Sequence, residues 1–116
     1  MSEFFIPQAG AKELLLWLLG RRRRVRVSGE SMQPLLSPAA ELLYAPYVRR
    51  APAPGDIVVA RHPFRTDLLL VKILTALTAS GEYLLHGLNP TESTDSRTFG
   101  AVPRHLLLGR ITSRLP

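Results

Sequence analysis

The chain contains no cysteine, which excludes a disulfide framework and thiolate chemistry and leaves the redox compartment unspecified. Its three histidines, His62, His86 and His105, lie far apart and lack the spacing of metal ligands, so neither a zinc site nor a cofactor is expected. Aromatic residues are scarce: four Phe, three Tyr and one Trp. A basic β-domain that binds nucleic acid through base stacking displays aromatics among its strands, and three of these eight precede residue 18. A nucleic-acid partner is therefore not expected. Long hydrophobic runs are missing as well. The longest, Leu14 to Leu19, falls well below the roughly 20 apolar residues of a spanning helix. It is also followed, rather than preceded, by basic residues, which is the wrong order for a secretory leader.

Lysine is the most informative scarcity. Of 15 basic residues only Lys12 and Lys72 are lysine, the rest being arginine. Arginine stays protonated in proteins, whereas a desolvated lysine can release its proton near neutrality. Lys72 sits inside the apolar run Leu68-Leu69-Leu70-Val71-Lys72-Ile73-Leu74. Two readings of it stand: a base that needs the neutral amine, or a strand-end lysine whose ammonium reaches water.

At 116 residues the chain is long enough for one compact domain with a modest core. The net charge of +6 is concentrated locally, with Arg21 to Arg24 and Arg26 holding much of the excess. Charge of this kind bears on association rather than on fold. The segment Ala11 to Gly20 reads as a short helix closed by Gly20. Leu14 to Leu19 with Trp17, next to the arginines, could lie in a membrane interface. The expectation is instead that this helix is covered by its own domain or by a partner, with the arginines solvated at its C-terminal end, where the helix dipole favours cations.

From Val25 onward proline and glycine recur at short intervals and leave little room for long helices. Expected strands are Val25 to Ser28, Glu41 to Ala45, Asp56 to His62, Leu68 to Leu77, Glu82 to Gly87 and Leu107 to Ser113. The fold class is mainly β, a small folded-over or partly closed β-structure with a short N-terminal helix. Pro52-Ala53-Pro54-Gly55-Asp56 is a turn leading into Ile57. Asn89 to Gly100 is a polar connection with Asp95 and Arg97 two residues apart.

Where the first strand runs out, Ser28-Gly29-Glu30-Ser31-Met32-Gln33-Pro34 sets a hydroxyl between a glycine and a proline. A serine hydroxyl becomes a useful nucleophile only when a base takes its proton, and Lys72 is the candidate base.

Three separated segments together resemble the type I signal peptidase family of serine-lysine proteases. Gly29-x-Ser31-Met32-x-Pro34 is similar to the family's nucleophile box and Val71-Lys72 to its general-base strand. Gly87-x-Asn89 through Ser93-x-Asp95-Ser96-Arg97-x-x-Gly100 is similar to its C-terminal box. The chain most resembles the short, anchorless members that mature nickel-containing superoxide dismutase, through its length, the run Arg26 to Met32, and Gly100-Ala101-Val102-Pro103 with Gly109-Arg110-Ile111.

The resemblance implies a fold of the signal peptidase catalytic-core type over residues 25–116, behind an apolar helix and basic segment at 1–24. It implies Ser31 as nucleophile, Lys72 as general base, Ser93 holding the lysine amine, and Asp95 paired with Arg97 to fix the loop that carries Ser93. Many members have a serine or threonine where this chain has Gly29, so the oxyanion would rest on backbone donors around Gly29 and Ser31. The implied substrate is a precursor protein, that of a nickel superoxide dismutase, processed in the cytoplasm with peripheral membrane contact through the helix left open. The alternatives are a membrane-associated signal peptidase for secretory precursors and a non-catalytic basic β-domain that binds nucleic acid.

Overall fold

The computed structural model describes residues 4–29, 31–65, 67–89 and 95–116. A short helix, α1 (Ala11–Leu18), precedes β1 (Arg23–Arg26), β2 (Glu41–Pro46), β3 (Ile57–Arg61), β4 (Leu69–Leu77) and β5 (Tyr83–His86). A one-turn helix, α2 (Ser96–Phe99), and a 3-10 turn at Arg104–Leu106 then lead into β6 (Leu107–Arg114). The strands form one sheet in the order β1-β2-β6-β3-β4-β5, every pair antiparallel, curled into a half-barrel. The fold class expected from the punctuation of the sequence is the one observed.

Alternation along the strands builds two apolar layers. Ile57 and Val59 of β3 face one cluster, with Met32, Leu36, Leu42, Val71 and Ile73. Val58 and Ala60 face the other, with Leu74, Leu85, Val102 and Leu107. Four successive apolar positions, Ile57-Val58-Val59-Ala60, are what burial on both faces requires. Register shifts interrupt the ladders at Leu43/Tyr44, Val59/Ala60 and Leu74/Ala76. Such bulges bend and twist the strands that carry them, which suits a curled sheet. Gly109 lies where β6 is pressed against β2, and a Cβ there would stand 2.4 Å from the Ala45 carbonyl oxygen.

Strands β2 to β6 end within one residue of expectation, and two elements, β1 and α1, differ by two. β1 runs from Arg23 to Arg26, two residues earlier than Val25 to Ser28, because Arg23 and Arg24 pair with Tyr44 and Leu43. Val27 still bonds beyond the strand end, its N–H donating to the Ala40 carbonyl at 2.8 Å. The helix ends at Leu18 rather than Gly20, with Leu19 as its cap. Gly20, at φ 77°, donates to the Trp17 carbonyl and Arg21 to that of Leu16. This paired closure of a helix by a left-handed glycine satisfies two terminal carbonyls.

A further difference concerns α1, which its own domain does not cover as one of the two expectations had it. No residue of the helix is buried, and Leu15, Trp17, Leu18 and Leu19 are all exposed. The helix is held by Glu13, whose carboxylate accepts from the Thr112 and Ser113 hydroxyls and from the Arg22 guanidinium. Its docking face is therefore the polar one. Among the described residues no helix is long and apolar enough to cross a membrane.

Candidate active site

The loop that leaves β1 carries Ser31, and the middle of β4 carries Lys72. In a flat sheet of this order β1 and β4 would be four strand spacings apart, about 19 Å. Curling of the sheet and the path of the loop close that gap. Met32, wholly buried in the core, anchors the loop from below, and the Asn89 N–H donates to the Ser31 carbonyl at 2.7 Å. The loop is thus fixed to the segment that follows β5 as well as to the core.

Lys72 Nζ lies 2.5 Å from Ser31 Oγ. Both side chains are nearly shut off from solvent, Ser31 at 7 % and Lys72 at 3 % exposure. Of the two readings of Lys72, the solvent-reaching ammonium is excluded. Lys72 follows the alternation of β4, opposite Val71 and Ile73 and on the side of Val58 and Leu74. Burial there lowers the lysine pKa from 10.5 to about 8; the nearby Asp95 carboxylate opposes the fall and the Arg97 guanidinium adds to it. An amine with that pKa is substantially neutral just above physiological pH, as a general base must be.

Asp95 is completely buried. It accepts from the Gly87 N–H at 2.9 Å, caps α2 through the Arg97 N–H at 3.0 Å, and receives the Arg97 guanidinium at 2.7 Å. Burial alone would raise its pKa, but the hydrogen bonds from Arg97 and Gly87 and the charge of Arg97 outweigh it and hold the carboxyl well below its usual range. A permanently ionised Asp95 therefore ties β5 to α2 beside the lysine. The expected pairing of Asp95 with Arg97 is present. Ser93 lies outside the described residues. Gly29, two residues before Ser31, is in the left-handed region at φ 77° with open space where a Cβ would be. Glycine adopts that conformation without the strain a larger residue would bear.

Among the described residues no three His, Asp or Glu side chains come together as metal ligands. Among the described residues the two aromatics on strands, Tyr44 and Tyr83, are both buried.

The sequence reading missed α2, a helix of one turn inside a stretch whose hydroxyls and charges read as loop. It also missed a cleft of about 480 Å³ at the far end of β1 from Ser31, lined by Arg21, Arg22, Arg23, Arg49, Arg50 and Arg110. Its local signals were the Arg21 to Arg24 run and the Arg49-Arg50 dipeptide, and what spacing hid was that the fold brings the two together. Near the rim, Asp56 accepts from the Tyr47 hydroxyl at 2.7 Å and from Arg50 at 2.9 Å.

A family model described as "Signal peptidase, peptidase S26" matches residues 75–115. The matched segment holds β5, Asp95, Arg97, α2 and β6, and stops short of Lys72 and Ser31. It supports a signal peptidase-type serine peptidase that acts on a protein substrate. A comparison with curated proteins returns no match.

Proposed function

We propose that this protein is a serine endopeptidase in which Ser31 is the nucleophile and Lys72 the general base, removing an N-terminal extension from a precursor protein. The observation that carries the reading is the buried contact of 2.5 Å between Lys72 Nζ and Ser31 Oγ. The neutral amine accepts the Ser31 hydroxyl proton as Oγ attacks the scissile carbonyl carbon. Negative charge on the carbonyl oxygen is met by backbone N–H donors around Gly29 and Ser31. When the C–N bond breaks, the Lys72 ammonium returns the proton to the leaving amine. Water then attacks the Ser31 ester with Lys72 again as base, releasing the new carboxylate and restoring both side chains.

Asp95 and Arg97 are positioning residues: together they tie Gly87, just after β5, to the start of α2. Ser93, by resemblance, orients the amine. The substrate proposed is the precursor of a nickel superoxide dismutase in the cytoplasm, for which exposure of a new amino terminus completes the metal site. That choice rests on the chain length and on the likeness of residues 26–32, 100–103 and 109–111 to the maturation proteases.

Incubation of the purified protein with candidate precursors, followed by N-terminal sequencing of the products, tests this. The nickel superoxide dismutase precursor should yield one new terminus, and Ser31→Ala and Lys72→Ala should yield none. Cleavage by Ser31→Ala would overturn the mechanism. Cleavage of other precursors in place of this one would overturn the substrate and leave the mechanism standing.

A further inference from the structure

We propose that α1 and the arginine cleft beside it form one docking surface for an anionic lipid bilayer, separate from the Ser31–Lys72 site and independent of the protease reading. Two features of opposite character meet there. The first is apolar: Leu18 and Leu19 are 82 % and 61 % exposed, and Val48, across the cleft, is 83 % exposed. Leu14 and Leu15, one turn earlier, are exposed on the same side of α1 as Leu18, while Trp17, 37 % exposed, lies at its edge, one turn after Glu13. Gly20 and Val48 both line the cleft, so its rim is apolar on two sides.

The second feature is charge without compensation. Within the cleft Arg22 is paired with Glu13 and Arg50 with Asp56. Arg21, Arg23, Arg49 and Arg110 have no carboxylate partner among the described residues. Four free guanidiniums in one concavity suit phosphate, which arginine grips in a planar, bidentate fashion.

The choice of occupant follows from the two together. A second copy of the chain could cover the leucines but, carrying the same net charge of +6, brings no excess of carboxylate to the guanidiniums of the cleft. An acidic peptide would satisfy the cleft and leave the leucines of α1 in water. A bilayer with anionic headgroups satisfies both, its phosphates in the cleft and its acyl boundary against Leu14, Leu15, Leu18 and Leu19, with Trp17 at the edge of that face. Neither part suffices alone, since so short an apolar face gives weak adsorption and stable peripheral binding takes an apolar and a basic signal together. Attachment of α1 through Glu13 to β6 presents the leucines outward rather than into the core.

Co-sedimentation with vesicles, read alongside the emission of Trp17, tests the proposal; Trp17 is the sole tryptophan of the chain. At about 0.15 M salt, the intact protein should pellet with phosphatidylcholine vesicles containing phosphatidylglycerol and remain free with phosphatidylcholine alone. Trp17 emission should shift to the blue on binding. Arg21→Glu with Arg23→Glu should weaken binding by about tenfold or more, and Leu15→Ser with Leu18→Ser should abolish the shift. Because these side chains are exposed, both variants should keep the melting temperature of the parent. Equal binding to both vesicle types, no binding to either, or binding unchanged by the arginine reversals would overturn the proposal. So would a dimer in which Trp17 is already shielded without lipid.

Discussion

Lys72 is held in a state that costs the fold stability, and its neighbours set how much. Its pKa falls from 10.5 to about 8 mainly through burial, a change equivalent to roughly 3 kcal/mol. The unfolded chain binds this proton more tightly, so stability rises with pH through the window from about 8 to 10.5. Below that window both states carry the ammonium, and only the folded state bears the cost of burying it. Lys72→Met, which removes the charge and keeps the length, should therefore unfold at higher denaturant at pH 7, by about 1–3 kcal/mol, with the difference from the parent shrinking as pH rises towards 10. A Lys72→Met protein less stable than the parent at pH 7 would mean that the ammonium is well solvated. The neighbours give a second prediction. Asp95 raises the Lys72 pKa and Arg97 lowers it, so Asp95→Asn should move the titration below about 8 and Arg97→Gln above it. With Lys12 as the only other lysine, the carbon-13 side-chain signals of the two can be followed separately by NMR. Shifts of one sign for both variants would contradict the assignment.

The elements show what the pattern of residues reveals and what it conceals. Strands were legible because proline and glycine bracket them and because apolar residues such as Ile57 to Ala60 run without polar interruption. α2 was not, since Asp95 caps it through a hydrogen bond to Arg97 N that spacing alone does not distinguish from a loop contact. α1 misled in a more general way. Its leucines suggested a buried face, whereas Glu13 with Thr112 and Ser113 is what attaches it, a long-range pairing invisible in local hydropathy. Gly109 carries the sharpest prediction at this scale. β6 is flanked by β2 and β3, so neither neighbour can retreat from a side chain there, and a Cβ would also meet the Tyr44 ring at 2.6 Å. Gly109→Ala should cost roughly 3 kcal/mol or more, seen as a large fall in melting temperature. A melting temperature within a few degrees of the parent would show that the β2–β6 pairing is looser than its register implies.

At the scale of the whole molecule, the curled sheet brings residues distant in sequence to one buried contact and gathers six of the thirteen arginines in a cleft at the opposite end of β1. The contact between Ser31 and Lys72 could not be read from spacing, because 41 positions separate them and only closure of the sheet joins them. It was anticipated through the likeness of three short segments to a family pattern, and through the oddity of a lysine in an arginine-rich chain. Peptide cleavage by this arrangement requires the neutral amine. The measurement that tests this most directly is the single-turnover rate of precursor cleavage as a function of pH, for the parent protein and for Lys72→Arg. The parent rate should climb with pH and level off through an apparent pKa near 8, while Lys72→Arg, which keeps a positive charge and cannot supply a neutral base, should be slower by about a thousandfold or more. A rate independent of pH from 6 to 10 in the parent, or cleavage retained by Lys72→Arg, would contradict the account.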